Sequence, residues 1–240
     1  MSETQETKQH EQDVIIERAV EDDTPDQQQK VSDKYFYIIL AVIVLIFISI
    51  VAYSQFTTPT GAVTFEEMHE LNLRGKLSSE EGYIYNGFSF VFFDRLWYTK
   101  VSVGEKDFQV PLHFGPRDLE ELNVSGSLSL DFNKGNEVYV TVNPLSSDQD
   151  YIALAASELA QNLAIAIKRR PIGACDRNET VMCEDRPIVT CETTDKAMIY
   201  LESSPGPAIE FRGLCVIARG TGPDLVKAVD HIILQWYGVI

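Results

Sequence analysis

The sequence predicts an α+β fold: a disordered N-terminal tail, one transmembrane helix, and an ectodomain of antiparallel strands with a long Ala-rich helix and a C-terminal helix. Three observations lead there. Residues 35–53, YFYIILAVIVLIFISIVAY, carry no charge. Residues 83–142 alternate apolar and polar side chains with period two, as half-buried strands do, and residues 150–168 and 224–237 repeat apolar side chains with helical period. The organisation read from these patterns is an acidic cytoplasmic tail over 1–34, a span over 35–53, a linker and short helix over 54–82, an antiparallel β region over 83–145, and an α+β region with all four cysteines over 146–240.

The tail is rich in Glu, Asp, Gln and Thr and holds too little apolar surface to offset the entropy of ordering, apart from the island Val14-Ile15-Ile16 with Ala19-Val20. Tyr35–Tyr53 would cover roughly 28 Å at about 1.5 Å per residue, close to the hydrocarbon thickness of a bilayer. A secretory signal would sit at the extreme N-terminus behind a basic leader and be followed by a small-residue cleavage site; here an acidic tail comes first and Ser54-Gln55-Phe56 is a poor site. Arg18, Lys30 and Lys34 precede the span while Ser54–Leu73 carries no Lys or Arg, so the positive-inside rule puts the tail in the cytoplasm and the rest outside.

Thr64-Phe65-Glu66-Glu67 has the pattern of a capping box and predicts a short helix over Phe65–Leu73 stopped by Gly75, with His69 inside it. Phe88–Phe93, Leu96–Val103 and Phe108–Phe114 read as a meander, with Pro111 keeping its strand at an edge or a bulge. Leu128–Phe132 and Val138–Val142 read as a second hairpin turning at Asn133–Asn136. Asn143-Pro144 then ends the sheet, and the helix of 150–168 closes on Lys168-Arg169-Arg170, which complements its dipole, and on Pro171. Pro187–Glu192, Ala197–Leu201, Ala208–Phe211 and Leu214–Ala218 read as further strands before the last helix.

The chain has 20 basic and 36 acidic residues, an excess on both sides of the span that argues against nucleic acid or anionic headgroups as the main partner. Cys175, Cys183, Cys191 and Cys215 all follow the span, on the side where disulfides persist. Three pairings are open. Cys175–Cys183 with Cys191–Cys215 is preferred, because the first brackets a polar loop and the second joins two strand-like runs; a four-thiolate zinc site would want closer C-x2-4-C spacing, and no C-x-x-C redox motif occurs. Asn123-Val-Ser125 and Asn178-Glu-Thr180 are acceptor triplets for N-glycosylation.

Chemistry-bearing motifs are few. Gly220-Thr221-Gly222-Pro223-Asp224 stands between strand and helix, where a glycine loop can hold phosphate, but Pro223 removes a donor and Asp224 repels an anion, so it reads as a turn that starts the helix. His113, Arg117 and Asp118, with Glu120 and Glu121, form the one stretch where an acid–base cluster could assemble; on a strand, however, His113 falls on the side of Gln109 and Pro111, the solvated face. Asp230-His231 are helix neighbours about 100° apart and form no dyad. No cofactor motif is present.

Tyr151–Leu163, Pro187–Cys191 and Gly213–Gly220 give the last half of the chain a resemblance to uncharacterised single-pass archaeal envelope proteins. That resemblance implies an anchored envelope location and no activity. The functional expectation is therefore a non-enzymatic interaction or structural component of the cell envelope or of a membrane complex, with the membrane and an envelope protein as partners. The alternative is a membrane-anchored hydrolase using His113–Glu121.

Overall fold

The computed structural model describes the backbone of residues 33–56 and 63–240, with side chains for 35–50 and 63–240. The tail of 1–32, with its Val14–Val20 island, and the linker of 57–62 lie outside the described residues. The chain divides into two units, one ending at Ala62 and one running from Val63 to Ile240.

In the first unit, helix α1 runs Asp33–Phe56 over 24 residues. Its large apolar side chains between Tyr35 and Ile50 stand 48% to 69% exposed, and Ser49 donates its hydroxyl to Leu45 O at 2.7 Å. Among the described residues, no helix is long and apolar enough to cross a membrane.

The second unit is α+β. Helix α2, Phe65–Leu73, is capped as its sequence requires: Thr64 is extended and its hydroxyl accepts from Glu67 N. It packs on a four-stranded antiparallel meander, β1 (Gly82–Tyr85), β2 (Phe88–Phe93), β3 (Leu96–Val103) and β4 (Lys106–Leu112). The register pairs Tyr83 with Phe90, Phe90 with Thr99, and Thr99 with Val110, so one face of the meander carries the buried set. Pro111 sits on β4 at the sheet edge, where its missing N–H is tolerated.

The second sheet has six strands: β5 (Asn123–Leu128), β6 (Glu137–Val142), β7 (Arg170–Cys175), β8 (Met198–Ser203), β9 (Ala208–Gly213) and β10 (Cys215–Gly220), in the order β5-β9-β10-β8-β6-β7. Only β9 and β10 pair antiparallel; β5–β9, β10–β8, β8–β6 and β6–β7 are parallel. Helix α3, Gln149–Ala166, is the crossover between β6 and β7, and α4, Pro223–Trp236, follows β10 and packs against α3. Both helices, the inner face of the meander and the inner face of this sheet share one hydrophobic core that includes Phe90, Leu112, Phe132, Leu159, Leu163, Ile199 and Ile232.

Four expectations are corrected here. Leu128–Phe132 and Val138–Val142 form no hairpin: Leu130–Asn133 is a 3-10 turn, and β5 and β6 lie apart in the sheet. The strands after 146 are not an antiparallel set of their own, since β5 and β6 join them through parallel pairs. Pro187–Glu192 is no strand, having one bridge, between Ile188 and Cys175. Arg170-Pro171 opens edge strand β7 rather than ending a helix, and Arg169 does not merely face the α3 dipole: it is buried and donates to the carbonyls of Phe132, Lys134 and Glu137, fixing the turn before β6.

Candidate functional site

The fold sends the predicted acid–base residues to different partners. His113 follows β4, and its Nδ1 lies 2.5 Å from Glu158 Oε1 on α3. Arg117 turns the other way and lays its guanidinium 3.8 Å over the ring of Tyr83, while Asp118 accepts from Gly115 N at 3.1 Å and closes the turn of 115–118. Tyr83 takes up this space closely. A Cβ on Gly115 would stand 2.1 Å from its hydroxyl, which explains the glycine, and burial raises that hydroxyl's pKa and leaves it without a partner.

Two residues absent from the predicted cluster complete it. Asp230 on α4 is fully buried; its Oδ2 accepts from Phe114 N at 2.8 Å, and its Oδ1 has no hydrogen-bond partner. Burial, and then the negative charge of Glu158, push its pKa well above the carboxylate range. Burial also raises Glu158, against the opposing pull of His113. Asp230 was visible in the sequence as a carboxylate inside an apolar stripe, between Val226 and Ile233, whereas Glu158 gave no signal, since the helix face it occupies is set by the packing of α3. Asp230 enters this cluster without His231, whose ring nitrogen Nδ1 is buried and unpartnered. Chemically, the group can hold a proton on a buried acid and pass charge to a histidine one-third exposed.

A different site is built on the sheet face away from the helices. A cleft of about 320 Å³ is floored by Tyr200 and Ile217 and walled by Asp176, Thr190, Cys191 and the charged row Glu202, Arg212 and Arg219. The volume suits a small ligand or a side chain of a partner. Its polar groups are held in place: Tyr200 donates to Asp176 at 2.9 Å, Arg219 pairs with Glu202 and with Glu210 at 2.7 Å, and Arg212 pairs with Glu210 at 2.7 Å. The guanidinium donors of Arg212 and Arg219 hold Glu210 below the ordinary range.

Compared with protein-family models, curated proteins and solved structures, the chain matches none. The envelope resemblance is carried by the sequence alone.

One of the four cysteines, Cys191, lines this cleft. Cys175–Cys183 and Cys191–Cys215 are bonded, with Cα separations of 6.0 Å and 5.4 Å, and no cysteine is free, which removes the zinc reading. The physical reason given for the second bond needs correcting. Cys215 opens β10, but Cys191 lies in a turn that folds over the sheet, so this bond ties a wall of the cleft to its floor instead of linking two strands. Among the described residues, no His, Cys, Asp and Glu group could hold a metal ion.

The remaining sequence candidates are placed as follows. Asn123 and Asn178 are exposed, at the start of edge strand β5 and inside the Cys175–Cys183 loop. The Gly220–Asp224 stretch starts α4: Asp224 N and Leu225 N are taken by Thr221 O and Gly222 O, and a Cβ on Gly220 would stand 2.2 Å from Leu225 N. This glycine is needed for close approach of strand and helix, not to make room for an anion.

Proposed function

We propose that this protein is held in a membrane by α1 and presents its disulfide-bonded α+β domain outside the cytoplasm, where it binds another envelope component through the cleft on the open sheet face. The observation that carries the reading is the placement of both disulfides. Both tie down the loop 176–191, which faces a row of charged residues already locked in pairs, and this is the construction expected of a recognition surface in an oxidising compartment. Helix α1 supports it: its side chains between Tyr35 and Ile50 are apolar or aromatic apart from Ser49, whose hydroxyl is satisfied within the helix, as a hydrocarbon environment demands.

Protease added to intact cells tests the topology and should digest residues 63–240 while sparing the tail; digestion of the tail alone would overturn both orientation and compartment. Binding is tested by affinity isolation of the full chain from mildly solubilised membranes. R219A removes the cation shared by Glu202 and Glu210 and should abolish recovery of the partner, while substitution of exposed Lys76 should not.

A second reading, an anchored hydrolase, is favoured by the His113–Glu158–Asp230 group. Its signature would be loss of a cellular activity in both H113A and E158Q with partner recovery intact.

A further inference from the structure

The two disulfides differ in their surroundings. Cys175, Cys183 and Cys215 are 0% exposed, whereas Cys191 is half-buried and lines the cleft on the outer sheet face. One bond is therefore enclosed at both ends, and the other can be approached through the cleft. A thiolate exchanges with a disulfide only where it can reach a sulfur, so access decides which bond opens first.

What Cys191–Cys215 holds in place is the turn of 190–196. Among the described residues, every hydrogen bond made by the backbone of this turn stays inside it: Thr193 N and Thr194 N both donate to Thr190 O, Lys196 N donates to the Thr194 hydroxyl, and Lys196 O accepts from that hydroxyl. Backbone ties to the sheet resume only on either side, where Val189 N donates to Cys175 O and Ala197 O accepts from Tyr139 N. Two polar side-chain contacts reach across, Glu192 with Arg212 at 3.5 Å and Lys196 with the Tyr139 hydroxyl at 3.0 Å. The first is an exposed ion pair and contributes little. The turn is thus a flap with two fixed ends and one covalent fastening.

Beneath Cys191 lies an apolar cluster separate from the main core. Tyr139, Ala174, Met198, Cys215 and Ile217 are buried there, with Val189 and Cys191 packed against them. The strand registers put Met198 beside both Tyr139 and Cys215, and Ile217 lines the cleft, so the cluster belongs to the outer face of the sheet. Apolar surface on that face stays dry only while something covers it.

We propose that Cys191–Cys215 is a redox-gated fastening of the cleft wall: a dithiol reductant opens it through the cleft, ahead of Cys175–Cys183, and releases the turn of 190–196 from the sheet. The chemistry is two thiol–disulfide exchanges. A reductant thiolate attacks Cys191 Sγ and forms a mixed disulfide, while the bonding pair leaves with Cys215 Sγ as a thiolate. The reductant's second thiolate then attacks its own sulfur in the mixed disulfide, and Cys191 Sγ leaves with that pair. The reductant is oxidised by two electrons to a disulfide, and the two cysteine thiolates take up the two protons its thiols released. Arg212 stands opposite Cys215 in the β9–β10 register, which puts a cation on the face where the first thiolate forms. Because Thr190, Cys191 and Glu192 line the cleft, opening the fastening removes one of its walls. Control of binding in this way rests on the role given to the cleft above; the fastening itself does not.

The test treats the full chain in mild detergent with graded dithiothreitol, traps free thiols with iodoacetamide, and reads each cysteine by peptide mass spectrometry. Cys191 and Cys215 should be alkylated at several-fold lower reductant than Cys175 and Cys183. At that point amide exchange over 190–196 should quicken several-fold while β8 and β10 stay protected. Both bonds opening together, Cys175–Cys183 opening first, or unchanged exchange over 190–196 once Cys191 is free would each overturn the proposal. C191S/C215S should show the fast exchange without reductant; if that variant does not fold, the titration of the wild type decides alone. Partner recovery from solubilised membranes before and after selective opening separates the two readings. A change in recovery supports control of binding, whereas unchanged recovery with the turn released overturns the binding role of that wall and leaves the fastening standing.

Discussion

Two buried polar clusters, one on each side of the meander, are built on opposite terms. Under α2, His69 lies between Ser89 Oγ and Gln109 Nε2, each at 2.9 Å, and Asn72 donates to Tyr83 O, Ser89 Oγ and Phe90 O. Under α4, Asp230 Oδ1 and Glu158 Oε2 have no partner at all. A buried polar group with every bond made fixes geometry, whereas one left unpaired costs the full desolvation of that group. The first cluster is thus a clamp that sets α2 on the sheet, and the second is a place where stability has been given up. Their pKa directions match. Burial lowers His69, keeping its ring neutral with Nε2 free to accept from Gln109, whereas burial and Glu158 raise Asp230.

The sharpest way to break this comparison is at Asn72. N72A strips three acceptors of one donor and leaves the carbonyls of Tyr83 and Phe90 without that buried side-chain partner. It should cost about 3 kcal/mol in denaturant unfolding, near the upper end of ordinary single substitutions. A loss no larger than that of a surface change would show that α2 is held by its apolar contacts and that the clamp does little.

At Asp230 the expected sign reverses. D230N keeps an oxygen for Phe114 N–H and removes the group that must ionise there, so it should be neutral or stabilising by about 1 kcal/mol wherever the pH is high enough to ionise Asp230, whereas D230A orphans that N–H and should destabilise by about 1–3 kcal/mol. The pH dependence separates the clusters. A carboxylate raised in the folded state contributes stability that is full below its unfolded pKa, about 4, and is lost as pH rises through the folded value. A histidine lowered in the folded state contributes stability that is full above about pH 6.5 and is lost as pH falls through the folded value. Acidification from pH 7 toward 4.5 should therefore weaken the His69 clamp while relieving Glu158 and Asp230. Thermal unfolding of wild type against D230N should show the variant's advantage shrinking over that window; an advantage that grows would put the charge elsewhere.

The same contrast explains what the sequence made legible. The meander was readable because its pairs are local and one face is buried, so Trp97, Thr99 and Val101 alternate as written. The helix starts at Thr64 and Pro223 were readable because capping and φ preference are properties of a few adjacent residues. The mixed sheet was not. Its strands are short and their partners lie far along the chain, as Asn123 against Ala208 does, and nothing in Arg170–Cys175 distinguishes a parallel edge strand from a loop after a helix. For the site, His113 was found and its neighbours were not: Glu158 and Asp230 lie 45 and 117 residues further on, and only the packing of α3 on α4 brings them together. The Cys191–Cys215 pairing was read from two strand-like runs, and the bond forms although Cys191 lies in a turn and not on a strand.

The smallest expected effect is at His113 itself. Its side chain is one-third exposed, and its partner Glu158 has one oxygen already unpaired. An ion pair in that setting contributes little after the entropy of holding both side chains and screening by solvent are counted. H113A removes the opposing pull on Glu158, so the carboxylate pKa rises further and the group can answer by keeping its proton instead of carrying an unpaired charge. H113A should then change stability by about 0.5 kcal/mol or less, and 13C NMR of the Glu158 carboxyl should show its titration moved to higher pH. A loss of about 2 kcal/mol or more would mean that the pair is buried and essential in a way its exposure does not suggest, and the cluster under α4 would then have to be read as a clamp like the one under α2.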